Sequence, residues 1–335
     1  MFHKRCKGNA FFVNVQKNGY FFVILQLVME ILHFEGKKEA VVPCVATIGM
    51  FDGVHEGHRF VLRCIRDYAE EQRLASCVIT FDRHPCEVVQ KDWHPQLLTT
   101  FGERMRLLEE TGIDRCVILP FTSDMAALSA RDFMVLMAEQ LGVKTLMTGY
   151  DNRFGHDHRE CFEDYVRYGE ELGMRVESLP PLSRESMVSS SAIRQLLAKG
   201  NVREAAKCLT YPYNIEGKVV KGEHVGTTLG YPTANLQLTD AGKIIPAAGV
   251  YAVRWGRLKG MMNIGTRPTF GEHRQTLEVH FLNYEGNLYG QTITVQFVER
   301  LRDERRFDSE EDLIAQLKED AKRVENIEVL KSAYP

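Results

Sequence analysis

Between Val41 and Gly200 short, near-uniformly apolar runs alternate with amphipathic ones. The first is Val45-Ala46-Thr47-Ile48, followed by Gly49-Met50-Phe51-Asp52-Gly53-Val54-His55-Glu56-Gly57-His58: an apolar β-branched run, a glycine-punctuated turn and the start of a helix. Val61, Cys64, Ile65, Tyr68 and Ala69 recur at three- and four-residue steps with Arg59, Arg63, Arg66, Glu70 and Glu71 between them, which predicts a helix with one buried face. Ala75–Phe81, Arg115–Phe121, Lys144–Tyr150 and Met174–Pro180, rich in Val, Ile, Leu and Met, read as further strands. Helical patterns lie between them at Glu103–Glu110, Ser129–Leu141 and Cys161–Leu172, with Ser129 and Asp132 spaced as a capping box. Apolar strands separated by helices predict a parallel sheet covered on both faces. Such sheets take ligands beyond the carboxyl ends of their strands.

After Gly200 the pattern changes. Asn201 and Glu204 are spaced as a capping box for a short helix to Leu209, and Tyr211-Pro212-Tyr213 breaks it. Asn214–Lys221, Gly249–Trp255, Lys259–Ile264, Thr276–Leu282 and Gln291–Leu301 read as strands, with Asn283-Tyr284-Glu285-Gly286-Asn287 as a hairpin turn joining the last two. Closely spaced strands with glycine turns predict an antiparallel barrel. A helix follows at Ser309–Asp320, boxed by Ser309 and Asp312. The fold class is therefore α/β: a Rossmann-like parallel α/β domain, then an antiparallel β-barrel domain with a C-terminal helix.

Composition narrows this little. A chain of 335 residues accommodates two domains, and a net charge of −3 leaves no electrostatic footprint for nucleic acid. The eight cysteines include no C-x-x-C pair and several sit inside apolar runs, so the reading is a reducing cytoplasm and no structural zinc. In the first 28 residues, Lys4, Arg5 and Lys7 precede apolar segments that Asn14, Gln16, Lys17 and Asn18 interrupt. No small-residue cleavage site follows, and no apolar run of about 18 residues spans a membrane.

The chemistry gathers behind the strands. A strand entering a helix through the Gly49–His58 turn points free N–H groups above the sheet, which together with the helix dipole makes an anion site. Gly53 and Gly57 admit a phosphate close to the backbone. His55 and His58 would face the same phosphate, and a bound polyanion would raise both pKa values from about 6.5. Behind later strands come Thr80-Phe81-Asp82-Arg83-His84-Pro85, Gly149-Tyr150-Asp151-Asn152-Arg153-Phe154-Gly155 and Val188-Ser189-Ser190-Ser191-Ala192-Ile193-Arg194. The last, hydroxyls at a helix start with an arginine one turn in, suits a second phosphate clamp. In the β-rich half, Gly217-Lys218 to Thr233-Ala234-Asn235 supplies glycines, lysines and a Thr-x-Asn pair, enough to wrap a triphosphate and offer oxygens to Mg²⁺. Period-two alternation sets Leu277, Val279 and Phe281 on one face and Glu278 and His280 on the other.

The Gly-x-Phe-Asp-Gly-x-His-x-Gly-His pattern resembles the signature of cytidylyltransferase-like nucleotidyltransferases, and all four motifs of the first half resemble those of the bacterial FAD synthetases. Asn152 departs from the pattern, standing where that family usually has an aromatic residue. Gly-x-x-x-Gly-x-Pro-Thr-Ala-Asn resembles the riboflavin kinase signature, as do Gly249–Val253, Asn263–Phe270, Leu277–His280 and Leu301-Arg302-Asp303-Glu304. The resemblance covers roughly residues 29–330 and implies two reactions: riboflavin plus ATP to FMN, then FMN plus ATP to FAD and pyrophosphate, with Mg²⁺ accompanying ATP. It implies His55, His58 and Arg194 as stabilisers of adenylyl transfer and Glu278 as general base of the kinase. Ligand-binding roles fall on Gly49, Phe51, Asp52, Gly53, Gly57, Asp151, Arg153, Phe154, Ser189, Ser190 and Ser191, and on Gly217, Lys218, Gly222, Gly226, Gly230, Thr233, Asn235 and Arg302, with Thr233 and Asn235 also serving the metal. The expected division is 1–28 as an extension without assigned function, accounted for by an upstream start-codon assignment, 29–205 as adenylyltransferase and 206–335 as kinase. The expected partners are small molecules, with no nucleic acid and no membrane. A flavin- or nucleotide-binding regulatory protein that keeps one activity is the alternative. An aminoacyl-tRNA synthetase shares the histidine turn, but its lysine-rich loop and basic RNA-binding region are absent from this sequence.

Overall fold

The computed structural model describes residues 10–17, 20–36, 42–90, 92, 96–149, 153–156, 160–179, 188–221, 230–269 and 272–327, with only the backbone at 10–27, 266–269 and 272–274. The chain forms two compact units, 1–95 with 101–187, and 96–100 with 188–335.

The first unit opens with β1 (Ala10–Lys17) and β2 (Tyr20–Leu27), an antiparallel pair that forms a sheet of its own. There follow β3 (Glu30–His33), β4 (Cys44–Ile48), α1 (Glu56–Gln72), β5 (Ala75–Phe81), α2 (Cys86–Val89), α3 (Phe101–Glu109), β6 (Arg115–Leu119), α4 (Ser123–Ala126), α5 (Ala130–Glu139), β7 (Val143–Thr148), α6 (Phe162–Leu172) and β8 (Arg175–Ser178). The larger sheet is parallel, in the order β3-β6-β5-β4-β7-β8. From β4 the chain builds outward through β5 to β6, then crosses back to place β7 on the other side. The β4/β7 boundary is thus the switch point where such sheets open a crevice. Side chains of β4 alternate between two cores. Ala46 and Ile48 meet Phe133, Met134 and Tyr165 of α5 and α6, and Val45 meets Leu62, Ile65 and Leu108 of α1 and α3.

The sheet has one strand more than the apolar runs predict. β3 pairs with β6 from Glu30↔Arg115 to His33↔Ile118, yet three of its four side chains are exposed. An edge strand with so little buried surface leaves no apolar run to read. It is fastened by Met29, which is buried, and by Arg115 Nε donating to Glu30 Oε2 at 2.7 Å.

The second unit holds α7 (Ser190–Ala198), α8 (Val202–Leu209), β9 (Asn214–Val220), β10 (Ala234–Leu238), β11 (Gly249–Trp255), β12 (Leu258–Thr269), β13 (Glu272–Phe281), β14 (Thr292–Arg302) and α9 (Glu310–Asn326). Its six strands close into an antiparallel barrel in the order β10-β13-β12-β11-β14-β9. Tyr251, Val253, Met262, Val279, Val295 and Phe297 fill the interior, and Ile193, Leu197, Ala205 and Leu209 of α7 and α8 belong to the same core. Val324 of α9 joins a smaller cluster with Val250, Ala252, Met261 and Leu301.

Three local expectations need correction. The barrel's sixth strand is β10, read above only as part of a phosphate loop. Residues 283–287 are not a hairpin turn, because β13 lies between β12 and β10 while β14 lies between β11 and β9. Alternation fixes the face of a residue and says nothing of the neighbouring strand. The connection is instead packed by Tyr284, whose ring meets Trp255 and Phe281 at centroid distances of 6.0 and 6.5 Å. Asn201 makes no side-chain cap on α8, and Glu204 pairs with Lys207 at 2.7 Å. Ser129 and Ser309 do cap their helices, each accepting the N–H of an aspartate three residues on and donating its hydroxyl to that carboxylate, while both bonds of a capping box are present at Cys161 and Asp164.

A two-stranded ribbon is at best marginally stable alone. A chain beginning at Met29 should therefore melt within about 2 °C of the full one, whereas removal through His33 should lower the midpoint by about 4 °C or more, as scanning calorimetry would show. Equal midpoints for the two truncations would mean that β3 contributes nothing.

Candidate functional sites in the two units

The turn after β4 is strained. Phe51, Gly53 and Val54 have φ of +52°, +84° and +34°. Left-handed backbone is natural for glycine and costly for a β-branched valine, of the order of 1–3 kcal/mol per residue. Burial offsets that cost: Phe51 and Val54 are almost wholly inaccessible and pack with Leu62, Met105 and Met147. The turn closes through Val54 N–H donating to Phe51 O at 3.1 Å, and Gly49 N–H donates to Ile79 O at 3.1 Å. From α3 the buried Arg104 donates to Met50 O at 3.2 Å and to Phe81 O at 2.5 Å, so one cation ties the ends of β4 and β5 together. Burial pushes its pKa down, and the nearby Asp52, Cys116 and Asp82 pull it up. Sequence reasoning missed Arg104; its one signal is a charged residue amid the buried positions of its helix.

At the N-terminus of α1, His55 is the cap, its Nδ1 accepting the N–H of His58 at 3.4 Å. The two rings stack, centroids 3.7 Å apart at 18°, and Phe51 meets His58 edge-on at 5.2 Å. His58 Nδ1 is buried without a hydrogen-bond partner. Burial first, and the adjacent His55 second, push the His58 pKa well below its ordinary value. In the chain alone the pair is therefore not the two-cation clamp that a bound polyanion would favour; His58 is neutral at pH 7. Gly57 is buried in the first turn of α1.

Behind β5, Asp82 Oδ1 accepts the N–H of Phe121 at 2.9 Å and His84 Nδ1 that of Cys86 at 3.2 Å. Behind β7, Asp151 and Asn152 lie outside the described residues, as do Gly222 and Gly226 of the second unit. Phe154 stacks on Tyr165 at 4.3 Å and donates its N–H to the Tyr165 hydroxyl at 3.1 Å, which fixes the loop that carries the exposed Arg153. Gly155 has φ +96°, and a Cβ there would meet Ala130 N at 2.7 Å, so only glycine fits. A cavity of about 490 Å³ opens here among Ile48, Phe81, Phe121, Met125, Phe133, Phe154 and Arg153. It is apolar with one cation at its edge.

Ser189, Ser190, Ser191 and Arg194 belong to the second unit, and His55 and His58 to the first. Ser189 caps α7 by accepting Ala192 N–H at 3.2 Å, and Arg194 Nε donates to Gln96 O at 2.7 Å.

On the barrel, Asn235, Glu278 and Asn263 stand opposite one another on β10, β13 and β12. Facing residues of adjacent strands share one side of the sheet, so these three form a polar row. Leu277, Val279 and Phe281 point into the core, as the alternation predicts. Glu278 lines a cavity of about 330 Å³ with Thr233, Asn263, His280 and Arg302, and with the apolar Val250, Met261, Leu313 and Leu317. A second cavity, of about 260 Å³, is walled by Val219, Val279, Phe281, Tyr284 and Leu288, and Thr233 borders it too.

Three residues expected at the phosphates have other partners in the structure. Arg302 Nε donates to Oδ2 of the fully buried Asp320 at 2.9 Å, which fastens α9. Gly217 and Lys218 lie within β9, facing Leu238 and Gln237; a Cβ on Gly217 would meet Gln237 O at 3.0 Å, so close strand approach explains the glycine. Gly230, with φ +78°, turns the chain into Tyr231-Pro232-Thr233. Among the described residues no three of His, Cys, Asp and Glu cluster as a metal cage. The hydroxyl, amide and carboxylate oxygens of Thr233, Asn235 and Glu278 are nonetheless the hard donors suited to Mg²⁺, which completes its shell with water and substrate phosphate.

The FAD synthetase family matches residues 37–192 and the riboflavin kinase family residues 209–328. A bifunctional riboflavin kinase/FMN adenylyltransferase from Escherichia coli K12 is 39% identical over 284 residues, covering 83% of this chain and 90% of that protein. The protein of the same name from Bacillus subtilis 168 is 33% identical over 294 residues, covering 84% and 92%. The crystal structure of a macrolide-efflux protein from Streptococcus pneumoniae superposes with a TM-score of 0.81 at 32% identity, covering 90% of this chain and all of that one.

The orphaned His58 sets a pH dependence. Its folded pKa lies below the unfolded one, so below about pH 6.5 the unfolded chain binds the extra proton and stability falls as pH falls. Above that value the group contributes no slope. Melting midpoints between pH 7.5 and 5 should decline more steeply for the native chain than for His58→Gln; parallel curves would show that His58 takes up its proton without penalty.

Proposed function

The chain belongs to the family of bifunctional riboflavin kinase/FMN adenylyltransferases, with its FAD synthetase domain before its riboflavin kinase domain, and on that premise we propose how its residues divide the two reactions. The C-terminal domain phosphorylates riboflavin to FMN with ATP, and the N-terminal domain adenylylates FMN to FAD with release of pyrophosphate. The proposed boundary between 205 and 206 falls between the two matched ranges.

For the kinase, the Asn235–Glu278–Asn263 row beside Thr233 carries the assignment. Glu278 accepts the proton of the ribityl primary hydroxyl as that oxygen attacks the γ-phosphorus and ADP leaves. The cavity between Glu278 and the apolar Val250, Met261 and Leu317 suits the flavin; the one walled by Val219, Phe281 and Tyr284 suits adenine. Thr233, bordering both, stands where the phosphates pass. Thr233 and Asn235 would hold Mg²⁺, which when bound offsets phosphate charge. Gly230 gives the chain its turn ahead of them.

For adenylyl transfer, the strained turn and the unpartnered Nδ1 of His58 carry the assignment. The FMN phosphate attacks the α-phosphorus directly and pyrophosphate leaves, with no covalent enzyme intermediate. His55, His58 and the backbone N–H groups at the start of α1 stabilise the charge that develops, while Gly49, Phe51, Asp52, Gly53 and Gly57 shape the cradle. The cavity of about 490 Å³ is large and apolar enough for an isoalloxazine ring, with Arg153 as the cation for its phosphate and Phe154 as a stacking wall. For Ser189, Ser190, Ser191 and Arg194, a second phosphate clamp rests on their sequence alone. A cytoplasmic enzyme acting on small molecules fits the net charge of −3, and no described helix is long and apolar enough to cross a membrane.

His58→Ala should slow FAD formation from FMN by about 10²–10³, the usual effect of removing one such donor, and leave riboflavin phosphorylation intact. Trapping an AMP–enzyme adduct, or full activity of the variant, would refute the direct displacement. Glu278→Gln should do the converse. It should slow FMN formation by about 10²–10⁴ while supplied FMN is converted to FAD at the normal rate. Chromatographic assays of both substrates on one preparation read both results. Joint loss would show that the residue acts on both reactions, and no loss would leave Glu278 a strand residue.

A further inference from the structure

The alternation that turns Glu278 toward its cavity also turns His280, two residues on, toward the same space. His280 Nδ1 lies 2.8 Å from Pro232 O. A carbonyl oxygen only accepts, so Nδ1 carries the proton and donates it. That same bond withdraws Nδ1 from any role as a base. The ring also meets Tyr231 edge-on, with centroids 5.2 Å apart at 70°.

Tyr231 in turn packs on the cluster of Val250, Ala252, Met261, Leu301 and Val324. On the other side of Thr233, Ala234 enters the sheet opposite Val279. Thr233 is thus held between two fixed neighbours, one anchored by the sheet ladder and the other by His280. Pro232 has no N–H of its own, so its carbonyl is the backbone handle by which this segment is held. The residue so placed is the one that borders both cavities of the barrel.

We propose that His280 is a positioning residue of the kinase reaction, its Nδ1–H fixing the Pro232 carbonyl and thereby where Thr233 presents its hydroxyl to the nucleotide phosphates and their Mg²⁺. The inference rests on the assignment of Thr233 given above. It makes a prediction that depends on which ring nitrogen matters. An asparagine at this position puts an amide nitrogen near the place of Nδ1, and a glutamine puts one near the place of Nε2.

The test is the affinity of the full chain for ADP with Mg²⁺, measured by titration calorimetry, beside the kinetics of riboflavin phosphorylation. Outer-shell partners of metal and phosphate ligands are usually worth 10–100-fold, so His280→Ala and His280→Gln should weaken MgADP by about that factor and His280→Asn by about threefold or less. The Mg²⁺ concentration for half-maximal rate should rise in parallel. A melting midpoint close to that of the native chain on the same preparations reports that the barrel is folded, and if His280→Ala does not fold, the Asn and Gln pair decides. Affinity retained by Gln and lost by Asn would overturn the proposal, since Nε2 would then be the working atom. So would equal affinity throughout the series. Thr233→Val separates the two levels: weakened MgADP there with a silent His280 series sinks the positioning role alone, and unchanged MgADP there sinks the assignment of Thr233 and this inference with it.

Discussion

The left-handed turn between β4 and α1 exists because its side chains are buried. Phe51 and Val54 hold backbone angles that neither residue favours, and their packing against α1 and α3 is the compensation. Arg104 completes the restraint by tying the carbonyl ends of β4 and β5 with one guanidinium. The result is a helix N-terminus set immediately behind β4, where the His55 and His58 rings stack on one another. Without the packing the turn would relax, and the N–H groups would point elsewhere.

The barrel reaches a comparable end without strain. Its polar row lies on an ordinary antiparallel ladder, where register alone sets Asn235, Glu278 and Asn263 side by side. Side-chain pairs then define the walls of the cavity: Arg302 with the buried Asp320 fastens α9, and His280 holds the entry to β10. Sites on regular elements keep their geometry because the ladder is cooperative, whereas a strained turn needs a packed core beneath it.

The two sites also handle charge differently. In the first unit the groups proposed to meet phosphate are backbone N–H dipoles, the exposed Arg153 and a histidine that burial keeps neutral. In the second a carboxylate is half-exposed among neutral oxygen donors, an arrangement that suits a cation arriving with its nucleotide. The net charge of −3 is in keeping with small-molecule substrates.

Much of this was legible in the chain. Strands and helices of the first half follow from apolar periodicity, the caps at Ser129 and Ser309 from local spacing, and the two-faced strand around Glu278 from simple alternation. These are short-range properties, set by residues within a turn or two of one another. What lay beyond reading was set by partners distant in sequence. β3 is a strand because β6 offers it hydrogen bonds, although its own side chains are mostly exposed. Residues 283–287 cross the barrel because closure seats β14 between β11 and β9. Arg104 matters through carbonyls 23 and 54 positions away. Gly217 is glycine because another strand passes within 3.0 Å of where its Cβ would be. The helix that bears Ser189 and Arg194 packs its apolar face into the barrel core, a choice no local pattern encodes. Periodicity tells each segment which face to bury; only the folded chain decides against what.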